Sequence, residues 1–499
     1  MLQYTSGIII NYLVYLCTGG YSPPVRITWR SEMNNKLSFG TKFGYGFGMV
    51  GECLAMNTFY IYFLFFLTDG VGMAAGIAGT VAMVATFWGA FTDLIAGNKS
   101  DSSTNPNGRR RPFIIKAAIP LGILTFLMYT DWAAIPMDAK PVYFIIMAAG
   151  FWLALSFTDL PYQSLGSEIT EDYMEKNQIR GYANILNYAG MILASSGTLT
   201  IVYALGGDAG AWSKVGLIFG AITIVCFYIV TAVTKGKEPA NPNKPVSEGG
   251  EKNKGEGFFS MLKAGLALKP MRQILIYTVF GYGGMLLFTS MYIYYLTYNM
   301  GMSSAASATV MLVYSFMVMA VSAVLGALKV EKKTIVIFCT GLLGLALGIA
   351  HFTGLNIVTL YIMFFIFALG ISAYFVQIYS MVYDVCDIDE YKSGGSRAGG
   401  IISMFYFTGK FVGGIAMAAV GWILQFSNYD AAALEQTPEA LNGISMGALL
   451  LPGILLIIGA IALIKYPINK TNSSALREAI NAKAAGESCS EEGFAELLK

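Results

Sequence analysis

The sequence is poor in charged residues and almost free of histidine. Of its 499 residues, 12% are charged and one is a histidine. Soluble domains carry about 25% charged residues, so this chain has too little polar surface for a water-exposed globule of its size. The charges also nearly cancel, at a net +2. That balance excludes nucleic acid as a partner, because phosphate binding needs a clear basic excess.

Metal-binding and disulfide patterns are missing as well. The six cysteines are scattered, with no CxxC pair and no Cys/His cluster, so the sequence predicts neither a zinc site nor a disulfide framework. His351 falls between two apolar segments and is predicted to be a solvated loop residue. There is no GxSxG or HExxH signature either. We expect no metal, no cofactor and no enzymatic reaction.

Long apolar segments dominate what is present. Hydrophobic residues make up 55% of the chain and aromatic residues 14%, and a membrane-spanning helix needs about 20 mostly apolar residues. The sequence therefore predicts an all-α membrane protein with about twelve spans. These are residues 43–67, 75–97, 113–133, 142–166, 182–206, 214–233, 272–298, 303–328, 334–353, 357–383, 399–425 and 442–466.

The distribution of cations predicts the orientation of these spans. Loops on one side carry thirteen of the cations, and the tail adds Lys470, Arg477 and Lys483, whereas the opposite loops carry Lys140 and Lys214. Cytoplasmic loops are the ones enriched in Lys and Arg. We therefore expect a multi-pass protein of the plasma membrane with both chain ends in the cytoplasm.

The segments between the spans divide the chain into five parts. Residues 36–233 and 272–466 each hold six spans, and the Pro-, Gly- and Lys-rich segment 234–271 is predicted to be a cytoplasmic linker. Residues 467–499 form a cytoplasmic tail. Residues 1–35 are an N-terminal extension, which we interpret as a mis-assigned start because Met33 begins a natural-looking sequence. A weak repeat relates the two halves, since acid-rich turns follow the fourth and the tenth spans.

Four ionisable residues lie inside predicted spans, where a charge costs roughly 2.5–3.5 kcal/mol unless it is paired or hydrated. They are Glu52, Asp93, Asp159 and Lys410. Carboxylates in a helical bundle can hold Na⁺ or carry a proton. The set therefore predicts a transporter with a wetted site between two bundles.

Polar and aromatic residues of the spans provide candidates for the same cavity. Aromatic faces cover the C–H face of a sugar, while amides and acids bind its hydroxyl groups. The candidates are Asn57, Trp88, Gln163, Asn184, Asn187, Tyr374, Phe375, Gln377 and Tyr406.

Six short motifs give the chain a family resemblance from about residue 36 to residue 470. They are Thr41–Gly48, Thr68–Gly72, Trp88–Asp93, Gly108–Phe113, Thr158–Tyr162 and Asp387–Lys392. On these residues the chain resembles the glycoside–pentoside–hexuronide:cation symporters, the melibiose-permease branch of the major facilitator superfamily. The resemblance implies the major facilitator fold, with two six-helix bundles.

The resemblance also implies roles for individual residues. Asp93 matches a carboxylate of the family's cation site with Ser156 beside it, Asp159 matches the acid that serves cation and sugar, and Lys410 matches a lysine near both. Phe375 falls where melibiose permease has a sugar-stacking tryptophan. The resemblance also implies that a set of charged residues gates the conformational change, and we add to it Arg397, which opens the predicted eleventh span. The set is Arg109, Arg110, Arg111, Asp384, Asp387, Glu390 and Arg397.

Four positions depart from the family pattern. Gly89 stands in place of a second aspartate of the cation site. Cys53, which follows Glu52, stands in place of a sugar-binding aspartate, and Ala183 stands in place of a sugar-contacting arginine. Gln163 replaces an aromatic residue. Losing one carboxylate removes a hard ligand for Na⁺, so we expect H⁺ rather than Na⁺ as the coupling ion.

The leading hypothesis is a secondary transporter that carries a glycoside, pentoside or related sugar by alternating access, with H⁺ symport. Two alternatives keep the same fold. In one the cargo is a non-sugar solute, such as a lysolipid or another anionic amphiphile, and in the other the protein is an uncoupled facilitator. The expected partners are a small solute and the lipid bilayer, and a monomer is the expected state for this architecture.

Overall fold

Every regular element of the described chain is a helix. The computed structural model describes residues 36–101, 103, 105, 108–170, 173–238, 265–328, 330–393, 398–433, 435–484, 491 and 493–497. Within these ranges, eleven helices are long and apolar enough to cross a membrane by length and composition. A further helical segment, 39–70, runs beside them. The protein is thus a multi-pass membrane protein, as predicted.

Twelve long helices and a tail helix can be traced through the described residues. They are α1 (39–70), α2 (Ala75–Asp101), α3 (Arg111–Met128), α4 (Lys140–Glu168), α5 (173–204), α6 (Ala209–Val233), α7 (Lys269–Asn299), α8 (Ser304–Ala327), α9 (Lys332–Thr353), α10 (357–393), α11 (Ala398–Phe426), α12 (Pro438–Ile464) and α13 (Lys470–Ala484). Short 3-10 turns lie at Met137–Ala139 and Ala495–Leu497.

The helices form two bundles of six. In the first half α1 packs on α5 and α6, and α4 lies between α2 and α3; in the second half α9 packs on α10 and α12, and α7 on α11 and α12. The halves meet chiefly where α2 crosses α11 and where α5 meets α8. We call the side that holds the start of α1 and the end of α12 the basic face, and the opposite side the distal face.

Five of the long helices contain a π-helical turn away from their ends. These turns lie at Phe59–Phe63, Leu193–Gly197, Thr278–Tyr282, Tyr374–Ile378 and Met446–Leu450. A π-turn inserts one extra residue and re-aims the side chains around it, and such turns are frequent at functional sites. The turn in α10 carries Phe375.

The structure corrects the sequence prediction for His351. The residue lies in the last turn of α9 rather than in a loop, is partly buried, and its Nδ1 is 2.9 Å from Ser445 Oγ of α12. It therefore joins two helices. The predicted extension 1–35, most of the predicted linker and Arg397 lie outside the described residues.

Candidate functional site

An ion pair joins the two halves near the middle of the bundle. Lys410 Nζ of α11 lies 2.5 Å from Asp93 Oδ2 of α2, and both side chains are largely enclosed, at 16% and 21% exposure. Ser156 of α4 donates a hydrogen bond of 2.6 Å to Asp93 Oδ1. The Ser156 hydroxyl in turn lies 2.8 Å from Thr92 Oγ1. Asp93, Ser156 and Lys410 were predicted to lie together, and the structure brings them together.

The ring of Trp152 lies against this ion pair. The Lys410 ammonium lies 4.7 Å from the centre of the Trp152 ring, in cation–π geometry. The same ring packs against Gly89, where an added Cβ would come 2.7 Å from a ring carbon. Gly89 therefore lacks both the carboxylate of the family pattern and the room for one.

Two further carboxyl groups lie face to face beside the pair. Glu52 of α1 and Asp159 of α4 accept hydrogen bonds from the same amide nitrogen, so their carboxyl oxygens lie close together. Gln163 Nε2, one turn beyond Asp159, donates to Glu52 Oε2 at 2.9 Å and to Asp159 Oδ1 at 3.3 Å. Two carboxylates can hydrogen-bond to each other only when one of them is protonated. This geometry therefore suits a pair that holds one proton between them.

An arginine that the sequence analysis did not assign to the site also belongs to this cluster. Arg180 of α5 donates from Nη1 to Gln163 Oε1 at 2.9 Å. Its side chain is exposed. Arg180 lies one turn before Ala183, the position where the family pattern has an arginine. A search one helical turn away from the position of the family's arginine would have found Arg180.

Aromatic residues of the second half line the side facing these acids. Tyr282 and Tyr374 stack with ring centres 4.1 Å apart, and Phe375 packs edge-on against both. Tyr379 contacts Phe375 and Tyr406. Tyr406 and Phe375, at 47% and 50% exposure, present open ring surface. The sequence predicted Phe375 and Tyr406 here but missed Tyr282 and Tyr379, which carried no distinguishing motif.

Other predicted contacts are not part of the cluster. Asn57 donates to the carbonyl and sulfur of Cys53 in its own helix, and Gln377 donates to the Leu325 carbonyl of α8. Trp88 is 42% exposed, and the ring under Lys410 is Trp152 instead. The assignment of these three residues to the solute cavity stays a prediction, because a hydrogen bond to the protein or an exposed ring does not test contact with a solute. Asn184 lies one turn beyond Arg180 on the exposed face of α5.

At the distal face, one acid is shared between the halves. Asp69, at the end of α1, accepts hydrogen bonds from the hydroxyl groups of Thr68, Tyr298 and Tyr429, the last at 2.7 Å. Thr68 lies 2.7 Å from the Tyr294 hydroxyl. Tyr294 and Tyr298 belong to α7, and Tyr429 follows α11. This cluster joins the two halves at the distal face.

At the basic face, the predicted gating residues form ion pairs within each half. Arg110 pairs with Glu168 at 3.0 Å in the first half, and Lys332 with Asp384 at 2.5 Å in the second. Both pairs join the start of a third helix to the end of the fourth, so the repeat seen in the sequence is also a structural repeat. Arg111 donates to the Thr231 carbonyl. Arg109 lies just before α3, and Glu390 is exposed on α10.

Two of the ionic contacts at this face shift a pKa. Burial opposes ionisation of Glu175, but hydrogen bonds from Lys42, Thr170 and the Leu37 N–H outweigh it and lower the pKa below its ordinary value. Arg477 of α13 donates to Asp387 at 2.9 Å, and this hydrogen bond raises the pKa of the guanidinium. Both contacts therefore favour the charged forms of their partners.

Two six-helix bundles that enclose a polar cluster and are closed on one side define a membrane transporter of the major facilitator type. The family of MFS/sugar transport proteins matches residues 44–470, and the chain belongs to it. It is 26% identical to the isoprimeverose transporter of Lactiplantibacillus pentosus over 89% of this chain and 92% of that protein. It is 24% identical to the inner membrane symporter YicJ of Escherichia coli (strain K12), over 86% and 92%.

Solved structures agree on the fold. A D-xylose-proton symporter superposes with a TM-score of 0.62 at 11% identity, covering 86% of this chain and 97% of its own. A bacterial homologue of the lysosomal transporter Spinster, in an inward-facing and unoccupied conformation, superposes with a TM-score of 0.59 at 14% identity, over 88% and 96%. The major facilitator fold predicted from the sequence is confirmed.

Proposed function

We propose that this protein is a secondary transporter that carries a glycoside, pentoside or related sugar across the plasma membrane in symport with protons. The observation that carries the proposal is the pair of carboxyl groups, Glu52 and Asp159, which share one Gln163 amide beside the Asp93–Lys410 ion pair between the two halves. The basic face is the cytoplasmic one in this proposal. No chemical reaction is assigned.

A sugar fits the chemistry of the two walls. Carboxyl and amide groups on the first half offer hydrogen-bond acceptors and donors for hydroxyl groups, and Phe375 and Tyr406 on the second half offer exposed ring faces. The named relatives include an isoprimeverose transporter, which supports this class of cargo. Gln163, Asp159 and Glu52 are the residues we assign to the hydroxyl groups.

A proton fits the carboxyl pair better than Na⁺ fits the Asp93 site. The Lys410 ammonium already occupies one side of Asp93, and Trp152 fills the space that a carboxylate at position 89 would need. A site for Na⁺ requires several hard oxygen ligands around an open position. The chain's own cation therefore takes the place of a coupling cation, and the Glu52–Asp159 pair is left to carry the coupled proton.

Charge balance explains how proton binding can favour the conformational change between the two faces. Asp93 with Lys410 is neutral, and Glu52 with Asp159 carries one negative charge when they share a proton, which Arg180 balances. Release of that proton leaves one uncompensated negative charge in the bundle, which is costly at this depth. Alternation between the two faces is therefore favoured when the pair is protonated.

The test is uptake in proteoliposomes. We expect sugar accumulation driven by an inward pH gradient and unaffected by a Na⁺ gradient. Asp159→Asn is expected to abolish gradient-driven accumulation while still allowing exchange of sugar, because it removes the titrating group but keeps a hydrogen-bonding side chain. The matched control is Asp138→Asn, since Asp138 is exposed in a distal loop. Accumulation that follows Na⁺, or that survives in Asp159→Asn, would refute the coupling assignment.

Arg180 favours one alternative cargo, a solute with an anionic group. Its guanidinium is held by a neutral amide oxygen rather than by a carboxylate, so donors remain for a substrate carboxylate. Competition experiments with a neutral glycoside and the corresponding uronide separate these cargoes. Arg180→Gln is expected to weaken binding of the uronide selectively if the anionic cargo is correct, and to affect both ligands equally if Arg180 serves only the charge balance.

A further inference from the structure

A cavity of about 480 Å³ lies at the basic face of the second half, remote from the transport site. It lies between the start of α9, the end of α10 at the basic face and the start of α13. Four cations line it, Lys332, Lys333, Lys470 and Arg477, against two acids, Glu331 and Asp384. Its lining therefore carries a surplus of two positive charges.

The cations of this cavity are only partly neutralised. Lys332 pairs with Asp384 and Arg477 with Asp387. Lys333 donates only to the Tyr466 carbonyl, at 3.3 Å. The Lys470 ammonium makes no ion pair with a described residue and is exposed. Lys333 and Lys470 thus have no ion-pair partner among the described residues, and one net positive charge remains after Glu331, Asp384 and Asp387 are counted. Three serine hydroxyl groups line the same space.

The first half shows what fills the equivalent position there. Glu238, which follows α6, places Oε1 2.7 Å from the Arg110 N–H and 3.1 Å from the Arg111 N–H at the start of α3. Gly108, at φ +112°, leaves room for this carboxylate, because a Cβ there would overlap its Oε2. An anion therefore sits beside the Arg110–Glu168 pair, supplied by the chain itself.

Among the described residues of the second half, no carboxylate stands at the corresponding position of the chain. Glu238 comes five residues after the end of α6 at Val233, and the residue five after the end of α12 at Ile464 is Asn469, a neutral amide that lines the cavity. The Lys332–Asp384 pair repeats the Arg110–Glu168 pair beside it. The same structural position is thus occupied by an anion in one half and left as a cationic cavity in the other.

We propose that this cavity binds a phosphate group from outside the chain, in the position that Glu238 fills in the first half. A phosphate oxyanion matches the net positive charge of the cavity and the hydroxyl donors. The phosphate can come from an anionic lipid headgroup or from a free phosphate, since the cavity opens at the basic face. Bound there by Lys333 and Lys470, it would bridge α9 and α13.

The experiment uses the full-length protein and has two arms. In one, inorganic phosphate is titrated against thermal unfolding in neutral detergent, with chloride at matched ionic strength. In the other, nanodiscs of phosphatidylglycerol are compared with nanodiscs of phosphatidylcholine. Saturable stabilisation by phosphate assigns the site to a free phosphate, and stabilisation by phosphatidylglycerol alone assigns it to a lipid headgroup.

Two variants test the location of the site. Asn469→Glu supplies the missing carboxylate, and Lys333→Gln with Lys470→Gln removes the two available cations; each is expected to weaken apparent binding at least about tenfold. Lys465→Gln, which removes an exposed cation of the same face, is expected to bind as the wild type does. Absence of saturable stabilisation in both arms, or unchanged affinity in either folded variant, would overturn the proposal.

Discussion

At the scale of single residues, the site depends on one lysine that neutralises one aspartate. Lys410 and Asp93 come from helices of different halves, and their contact is part of what holds the halves together. A charge enclosed in a bundle is tolerated only while it has its partner. The sequence located both residues, and the structure adds that they are bonded to each other.

A double-mutant cycle measures this contact. We expect Lys410→Gln and Asp93→Asn each to lower the free energy of unfolding by about 1–3 kcal/mol, less than for fully buried pairs because both side chains keep some exposure. The double variant should lose clearly less than the sum of the two, since it leaves no unpaired charge. Chemical unfolding in mixed micelles provides the measurement, and strict additivity would show that the pair contributes no interaction energy.

Gly89 provides a second prediction at this scale. An added methyl group would come 2.7 Å from the Trp152 ring that lies under Lys410, so Gly89→Ala should cost about 1–3 kcal/mol through overpacking. Gly97, on the same helix, has no atom within 4 Å of an added Cβ. Gly97→Ala should therefore be neutral or stabilising. Equal melting temperatures for the two variants would contradict the packing that we describe.

At the scale of helices, the contacts between elements divide the molecule into a tied distal face and a basic face whose ion pairs stay within each half. The helices themselves were predictable, because spans of about 20 apolar residues leave few alternatives. Their ends were less predictable. The predicted fifth span, 182–206, begins nine residues earlier, because polar residues such as Glu175 and Arg180 are helical and satisfied by neighbours.

The start of α5 carries a pH-dependent contact. Lys42 of α1 lies 2.8 Å from Glu175, whose pKa is lowered from its ordinary value of 4.5. A carboxyl with a lowered folded-state pKa adds stability above its unfolded-state pKa, and that stability is lost as the pH falls through the folded-state value. We expect Glu175→Gln to be less stable than the wild type at pH 7 and to match it near pH 3. Melting temperatures across this range provide the check, and a constant difference would argue against the ionised contact.

The crossing of α2 and α11 carries a prediction about conformation. An added Cβ at Gly421 would come 2.3 Å from the Ala75 carbonyl and 2.7 Å from Gly79 Cα, so it meets backbone that cannot rotate away. Gly421→Ala should push the two helices apart at the distal face and disfavour the conformation seen here. Gly341→Ala, with open space around it on α9, is the control. Accessibility of the distal opening to hydrophilic thiol reagents, unchanged in Gly421→Ala, would contradict this reading.

At the scale of the whole molecule, the sequence predicts the two-bundle fold and half of the site. Glu52, Asp93, Asp159 and Lys410 stood out because charges are rare inside spans. Arg180, Trp152, Tyr282 and Tyr379 did not stand out, since aromatic and basic residues outside a motif are common throughout this chain. Which of them meet is decided by contacts between helices far apart in sequence, and a local pattern carries no information on those contacts.

The closed distal face gives the last prediction. Asp69 joins α1 to α7 and to the segment after α11 through hydroxyl donors, and a buried carboxylate that loses a donor costs about 1–3 kcal/mol. If these hydrogen bonds exist only while the distal face is closed, Tyr429→Phe should shift the balance toward the opposite state by about tenfold, since 1.4 kcal/mol is a factor of ten. Distances between spin labels in the 205–208 and 430–433 loops report that balance. Tyr143→Phe, which removes a distal hydroxyl bonded within the first half, should leave the distances unchanged. A protein that must open and close both faces in turn needs a contact between the halves that is weak enough to break in each cycle. Hydrogen bonds from neutral hydroxyl groups to the carboxylate of Asp69 are weaker than an ion pair with a cation, so they meet this requirement.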